Sequence, residues 1–241
     1  MFWVLLSLVT VAFSSSEELV HRRLAETEHL RSLRMVDELP TITEKDYQKA
    51  IKGDVATGLQ PVEGFAAKKA FGVGIMDVPI SDLWAAISDE RIHAQWTPLS
   101  YAELVGGEYC KNGRRIFMFL PIPFVSDRWW ISVVRSNERL RERSAGSVRE
   151  LSWTSSSDPA EVKSAKGKEV LADGIPINYT KGAWYLTGLD ENSTLAEYYV
   201  WTDPGGRIPA GAATMFAAGS VRDTFKAMLK ATKSGTSQCP P

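Results

Sequence analysis

The chain has 241 residues, and 28 Lys and Arg side chains against 29 Asp and Glu give it a formal net charge of −1. This length suits one domain with extensions or two small domains, and apolar residues at 44% can form a core without a structural metal or disulfides. The near-zero charge excludes a global field that would draw the protein to nucleic acid or an acidic membrane.

Residues 1–16 begin with an apolar run from Phe2 to Phe13, which is followed by three serines and then by charged residues. The run is shorter than the ~20 residues that a membrane-spanning helix needs. It has the length of a signal-peptide core, although no Lys or Arg precedes it. We expect residues 1–16 to be a cleaved signal peptide and the protein to be secreted or otherwise exported. The alternative is an uncleaved leader that anchors the protein to a membrane.

Residues 17–59 are dense in charge, with apolar residues at loosely helical spacing. Thr43 and Asp46 have the spacing of a capping box at the start of a short helix, which Gly53 ends. The pattern predicts a helical N-terminal extension that lies across the rest of the molecule.

From about residue 60 the pattern changes to alternation, which predicts a strand near Phe65–Asp77. Two short helices follow, one ending near Asp89 and one stopped by Pro98. Consecutive segments with short turns then predict an antiparallel meander, with strands at Tyr101–Gly106, Arg114–Leu120, Asp127–Ser136, Ser147–Ser155, Gly182–Leu189 and Thr194–Thr202. A long helix is predicted from Pro209 to about Thr232, and residues 234–241 form a tail.

Four landmarks occur in a fixed order: the strand-to-helix junction Val78–Asp89, Trp96 before a strand, Pro121–Trp130, and the turn Asp203–Pro209. Together they resemble the START domain and the wider START-like (SRPBCC, Bet v 1-like) superfamily. The family's usual Arg-Asp pair is replaced here by Asp127-Arg128. The resemblance implies an α+β helix-grip fold over residues 60–233, in which a curved antiparallel sheet wraps around a long C-terminal helix and leaves an internal cavity.

In such a fold, residues two apart on a strand face the same side, and the landmarks set which side faces the cavity. We expect Glu197 to face water and its neighbours Ala196 and Tyr198 to point inward. The predicted ligand-binding residues are Trp96, Trp130, Ser132, Val134, Trp184, Leu186, Tyr198, Val200, Thr202, Ala213, Phe216, Ala217 and Ser220. Two features stay open: the small residues of the last helix could leave room for a ligand or permit close packing, and the eight tryptophans could line a cavity or a plain core.

Such a pocket suits a lipid or other apolar small molecule with one polar head. The resemblance implies binding of that ligand and leaves open whether the protein also transfers it. No catalytic residue, metal site or cofactor is predicted, because the histidines lack metal-ligand spacing and no nucleophile elbow occurs. We expect His93 to be a helix-surface or packing residue. The alternatives are a cyclase or aromatase-type enzyme that uses Tyr198, Ser132 or Glu103, and a non-catalytic partner-binding module.

The expected partner is therefore the ligand itself, with transient membrane contact, with no nucleic acid, and with the protein a monomer. The arginines between 139 and 149 interleave with Glu138, Glu142 and Glu150, which is typical of solvated strand ends rather than of a basic nucleic-acid surface. Cys110 and Cys239 could form a disulfide that ties the tail to the body, but the sequence does not give the distance between them.

Overall fold

A computed structural model describes residues 16–65, 67–206 and 218–241. In these ranges residues 16–27 form helix α1, followed by a 3-10 turn at Glu28–Leu33. The other helices are α2 (Glu44–Ile51), α3 (Ile80–Ile87), α4 (Glu90–Trp96), α5 (Glu138–Arg143), α6 (Ala165–Ala172) and α7 (Ala218–Ser234), with a second 3-10 turn at Pro159–Glu161. The strands are β1 (Ala56–Gln60), β2 (Lys69–Met76), β3 (Tyr101–Gly106), β4 (Arg114–Leu120), β5 (Asp127–Ser136), β6 (Val148–Ser156), β7 (Gly174–Pro176), β8 (Tyr179–Gly188) and β9 (Thr194–Asp203).

The strands form one curved sheet in the order β1-β2-β9-β8-β6-β5-β4-β3, with all of these pairs antiparallel. The short strand β7 pairs in parallel with β5. Helices α3, α4 and α7 pack together against the inner face of the sheet. The α+β helix-grip plan expected from the sequence is confirmed.

The predicted meander agrees closely with the structure: β3, β4 and β5 have the predicted bounds, and β6, β8 and β9 differ by up to three residues. The capping box of Thr43 and Asp46 is present at the start of α2. Strand β1, in contrast, begins within residues 17–59, where only helix was expected, and β7, α5 and α6 were not predicted. Of the last helix, residues 218–234 are described; its predicted start, with Ala213, Phe216 and Ala217, lies outside the described residues.

Helix α7 approaches the sheet closely at two glycines of β2. A Cβ atom on Gly72 would lie 2.5 Å from Cγ1 of Val221, and one on Gly74 would lie 3.3 Å from the ring of Phe225. The absence of side chains at these positions lets the apolar stripe of α7 rest on the backbone of the strand. The main core, which includes Leu83, Trp184 and Phe225, forms around this contact.

The N-terminal segment covers the outer face of β8 and β9, and this corrects the expectation that Glu197 faces water. Glu197 is only 1% exposed. Its carboxylate accepts hydrogen bonds from Arg31 Nη2 at 2.6 Å and from Arg34 Nη2 at 2.6 Å, and also from the hydroxyl of Tyr199. Glu197 therefore points away from the cavity, as expected. The outer face on which it lies is covered by arginines of the N-terminal segment and is not open to water.

The predicted solvated strand ends around residues 138–150 are also wrong. The charged run forms helix α5, whose Leu140 is fully buried, rather than the end of a strand. Glu150 is 1% exposed and accepts hydrogen bonds from the side chain of Asn137 and the backbone N–H of Met35. Burial raises the pKa of Glu150 above its ordinary value, and these hydrogen bonds only partly oppose that effect.

The C-terminal tail is held to the body at α3 and α4. A disulfide joins Cys110, in the β3–β4 connection, to Cys239, with the Cα atoms 5.3 Å apart. The backbone N–H of Gln238 donates to the carboxylate of Asp89 at 2.7 Å, and the hydroxyl of Ser237 donates to the carbonyl of Ala85 at 2.8 Å. The tail therefore fixes the C-terminal end of α7.

Candidate ligand-binding cavity

A cavity of about 260 Å³ lies between the inner face of the sheet and helices α4 and α7. Most of its wall is apolar, and it draws residues from every strand between β4 and β9 except β7. The side chains that line it include Met118, Leu120, Trp130, Ser132, Val134, Leu151, Trp153, Thr180, Trp184, Tyr198, Val200, Thr202, Ser220, Thr224 and Met228. Their recurrence at every second position of each strand follows from the pleat.

The structure places eight of the thirteen predicted site residues on the cavity wall, namely Trp130, Ser132, Val134, Trp184, Tyr198, Val200, Thr202 and Ser220. Leu186 lies two residues after Trp184 on the same face of β8 and is fully buried in the adjoining core. Trp96 packs near Ala231 of α7 and is not part of the wall. The remaining three, Ala213, Phe216 and Ala217, lie outside the described residues.

The inner wall depends on a glycine opposite a tryptophan. Gly182 of β8 pairs with Trp153 of β6 and Val200 of β9. A Cβ atom on Gly182 would lie 2.3 Å from the ring of Trp153, so only glycine leaves the indole room to lie against the sheet. Trp153 then stacks on Tyr198, with ring centroids 5.7 Å apart.

The sheet has two distinct ends, which we name here. The loop end is where β4 ends at Leu120, β5 begins at Asp127, β8 begins at Tyr179 and β9 ends at Asp203. The helix end is the opposite one, where α3 and α4 meet the sheet. Thr180 and Thr202 line the cavity toward the loop end, and their hydroxyl oxygens are hydrogen-bonded at 2.7 Å.

At the helix end the cavity reaches a buried ion pair. Arg114 and Glu90 are 0% and 2% exposed, and Arg114 Nε donates to both carboxylate oxygens of Glu90, at 2.9 and 2.8 Å. The same guanidinium donates to the backbone carbonyls of Lys111 and Ser88. Because every polar group of Arg114 is occupied, this pair serves to hold α4 against β4 rather than to offer a free charge.

His93, expected to be a helix-surface or packing residue, lines the cavity beside this pair. Burial lowers the pKa of His93 below its ordinary value, although the carboxylates of Glu90 and Asp89 oppose the effect. The imidazole is therefore neutral near pH 7, and its Nε2 has no hydrogen-bond partner within the described ranges. Glu90, His93 and Thr97 recur at a spacing that places them on one face of α4, but nothing in the sequence marks this polar face as the one turned to the cavity.

Of the three residues weighed as catalytic groups, Tyr198 and Ser132 line the cavity and Glu103 does not. Glu103 accepts hydrogen bonds from Tyr101 at 2.8 Å and from Ser164 at 2.6 Å, away from the cavity wall. Among the described residues no group of three or more acidic, His or Cys side chains could hold a metal ion. In the same part of the chain no helix is long and apolar enough to cross a membrane.

Comparisons with known proteins agree with this architecture. No protein-family model and no curated protein sequence matches the chain. Solved structures do match. The match to a STAR-related lipid transfer protein from Xanthomonas axonopodis (20% identity, TM-score 0.54) covers 82% of this chain and 97% of the other protein's chain. The match to the human StAR-related lipid transfer protein 5 (13% identity, TM-score 0.61) covers 91% of this chain and 98% of the human one. The match to a START superfamily protein from Mycobacterium smegmatis (11% identity, TM-score 0.50) covers 70% of this chain and 99% of the bacterial one.

At these identities the likeness concerns the fold. This likeness extends over most of the chain. The chain has the START-like helix-grip fold.

Proposed function

We propose that the protein binds a lipid or another apolar small molecule in this cavity. The observation that carries the proposal is the cavity itself, about 260 Å³ of space with a predominantly apolar wall and a few polar atoms. The similar proteins of known structure from Xanthomonas axonopodis and human are named lipid transfer proteins, which supports the same class of ligand. The proposed contacts are the eight predicted residues on the wall, together with Trp153 and His93.

The volume also bears on the size of the ligand. Pockets for drug-sized ligands usually measure roughly 300–1,000 Å³, and this cavity lies just below that range. We therefore favour a molecule with a single ring system or a single chain over a lipid with two long chains.

Native mass spectrometry of the protein purified from its own source tests the proposal. We expect a fraction of the protein to carry a co-purifying hydrophobic molecule, which organic extraction then releases unchanged. Two results would contradict the proposal. One is ligand-free protein that also fails to bind added sterols and fatty acids, and the other is chemical conversion of a bound molecule, which would favour the cyclase alternative.

Transfer of the ligand requires contact with a membrane, and we propose that the loop end makes it. Among the described residues, five large apolar side chains are exposed, and four of them lie at or beside this end: Leu59, Phe65, Phe124 and Ile175. Phe124 is fully exposed and has a left-handed backbone, with φ of 68°, between Ile122 and Asp127. Aromatic and aliphatic side chains held out of the protein in this way suit insertion at a lipid interface.

Flotation with vesicles of phosphatidylcholine and phosphatidylserine tests the membrane contact. We expect Phe124→Ser to reduce the bound fraction severalfold, since its ring makes no intramolecular packing that the substitution could disturb. Met35→Ser is the matched control, because Met35 is also exposed (37%) but lies on the N-terminal segment. Equal binding by the wild type and both variants, or equal loss in both, would contradict docking through the loop end.

We also propose that the protein is exported and acts as a monomer. The apolar leader in residues 1–16 and a disulfide between Cys110 and Cys239 both suit an oxidising compartment. N-terminal sequencing of the protein recovered outside the cytosol should begin near Glu17. An intact leader on membrane-bound protein would favour the anchored alternative. Analytical ultracentrifugation tests the monomer separately, and a sedimentation mass of two chains would contradict it.

A further inference from the structure

The polar atoms on the cavity wall divide into two groups, those with protein partners and those without. In the first group, Trp130 Nε1 donates to the hydroxyl of Ser132 at 3.0 Å, and that hydroxyl lies 3.6 Å from the sulfur of Met118. Thr180 and Thr202 bond to each other. These groups are satisfied within the protein and have little need of a ligand.

The second group is an aromatic cluster whose donors have no partner. Trp153, Trp184 and Tyr198 all line the cavity, and within the described ranges their two indole N–H groups and one phenol make no hydrogen bond. His93 belongs to the second group as well, because its Nε2 is buried, has no partner in the described part of the chain and lies on a residue of the cavity wall. The three donors of the aromatic cluster also belong to residues of the wall, so a bound molecule can approach them.

The three rings form one continuous patch of wall. Trp184 and Tyr198 are directly opposite each other on β8 and β9, with ring centroids 4.6 Å apart, and Trp153 stacks on the other side of Tyr198 at 5.7 Å. Trp184 is also held by Phe225 of α7, at 5.2 Å. The donors are therefore carried by side chains whose positions are fixed by packing, which favours them as a preformed recognition surface.

The chemistry of this patch restricts the ligand. Indole N–H groups only donate, so a bound molecule satisfies them only by presenting an acceptor oxygen. A charged acceptor is disfavoured, because Arg114, the arginine that adjoins the cavity at the helix end, is already paired with Glu90. A ketone, ester or ether oxygen meets both conditions, since it accepts hydrogen bonds and carries no charge.

We propose that the cavity selects a neutral apolar molecule that carries an acceptor oxygen, and that the donors of Trp153, Trp184 and Tyr198 form the patch that receives it, with up to two of them donating to one oxygen. The inference rests on the proposed function, because it assumes that the cavity is occupied by an apolar ligand. It adds the functional group that the ligand must carry and the residues that distinguish it from a plain hydrocarbon.

Matched steroid probes test this proposal: 5α-androstan-17-one and the hydrocarbon 5α-androstane have the same skeleton and differ in one carbonyl group. We expect the wild type to bind the ketone about five- to tenfold more tightly than the hydrocarbon in equilibrium dialysis, which is the effect of about one net hydrogen bond in a buried site. Tyr198→Phe should reduce this ratio to about twofold while leaving hydrocarbon binding almost unchanged.

The infrared carbonyl stretch of the bound ketone gives a readout that a change in packing alone would not move. Hydrogen bonding lowers this frequency, so it should rise in Tyr198→Phe. Trp184→Phe provides a second variant should Tyr198→Phe fold poorly. The matched control is Tyr199→Phe, which removes a hydroxyl from the next residue of β9 on the outer face; it should alter neither the ratio nor the frequency.

The outcomes separate this inference from the proposed function. If ketone and hydrocarbon bind equally well to the wild type, with an unshifted carbonyl frequency, the donor patch has no role in selection, although the cavity still binds apolar molecules. If neither probe binds, the inference is overturned along with the proposed function for ligands of this size. A ratio that falls equally in Tyr198→Phe and Tyr199→Phe would show a general structural effect and would also overturn it.

Discussion

Glu197 shows how one residue can join distant parts of the chain. Burial alone would raise the pKa of its carboxyl group, but Arg34, Arg31 and the hydrogen bonds to the carboxylate outweigh that effect and lower the pKa to about 2. A carboxyl group whose pKa falls from 4.5 to about 2 on folding stabilises the folded state by about 3 kcal/mol at pH values above 4.5. This contribution disappears as the pH falls from 4.5 towards 2.

We therefore expect Glu197→Gln to lower the free energy of unfolding at pH 7 by about 3 kcal/mol, because two partly buried arginines lose their counter-charge. The difference between the variant and the wild type should shrink as the pH falls below 4.5. Urea unfolding at several pH values measures both effects.

Glu28→Gln is the control for this prediction. Glu28 also pairs with Arg31, at 3.2 Å, but its side chain is 72% exposed. Exposed pairs of this kind contribute little to stability, so the control should unfold almost as the wild type does. An equal effect of both substitutions would mean that general charge, and not the buried pair, sets the stability.

Residue parity on β9 could be predicted from the sequence, whereas the surroundings of Glu197 could not. Alternation, together with the expectation that Glu197 points away from the cavity, placed Tyr198, Val200 and Thr202 on the cavity side. The arginines that cover Glu197 lie more than 160 residues earlier in the chain, and a period of two carries no information about such a distant partner. His93 was missed for a different reason, since a lone histidine on a short helix gives no indication of which side is buried.

At the scale of elements, helix α7 packs closely against strand β2. Gly72→Ala should lower the free energy of unfolding by about 1–3 kcal/mol, because the new methyl group would overlap Val221. In a Val221→Ala background the same substitution should cost much less. Chemical denaturation of the two single variants and the double variant gives the coupling energy, and a value near zero would contradict the close approach.

The disulfide between Cys110 and Cys239 spans 129 residues of sequence, so it strongly restricts the unfolded chain. Replacing both cysteines by serine should lower the free energy of unfolding by about 2–4 kcal/mol. Adding a reductant to the wild type should reproduce this loss, and adding it to the double variant should have no effect. Identical denaturation curves with and without reductant would show that the bridge does not stabilise the fold.

Long elements with a regular period were predictable, and short or highly charged ones were not. The strands β4 and β5 contain apolar runs rich in aromatic and β-branched residues, and turn residues lie between β3, β4 and β5. Helix α5 consists almost entirely of charged residues around one buried leucine, Leu140, so its sequence resembles a solvated loop. Strand β7 has three residues and ends in Pro176, and it exists only because β5 provides a partner.

At the scale of the whole molecule, the sheet is a middle layer. The inner face is covered by α3, α4 and α7, and parts of the outer face are covered by the N-terminal segment and by the region around α6, against which Phe117 and Ile131 are buried. A layer that is held from both sides has little freedom to collapse, which helps to explain how a cavity with large aromatic side chains stays open.

A ligand that fills the cavity should stabilise this three-layer arrangement. At a free ligand concentration a hundred times the dissociation constant, the free energy of unfolding should rise by about 2.7 kcal/mol. Thermal unfolding of delipidated protein, with increasing concentrations of 5α-androstan-17-one, measures the effect. A melting temperature that does not depend on ligand concentration would argue against binding of this probe to the folded state.

The alternation along β9 has a consequence for how the protein tolerates change. The side chains at positions 196, 198, 200 and 202 face the cavity or the inner core, whereas those at 197 and 199 accept hydrogen bonds from the N-terminal segment. In a saturation library, neighbouring positions of this one strand should therefore fall into two interleaved classes. Substitutions at 197 and 199 should reduce the amount of folded protein, while many at 198, 200 and 202 should leave abundance intact and change which molecules are retained, so cargo preference can diverge without loss of the scaffold.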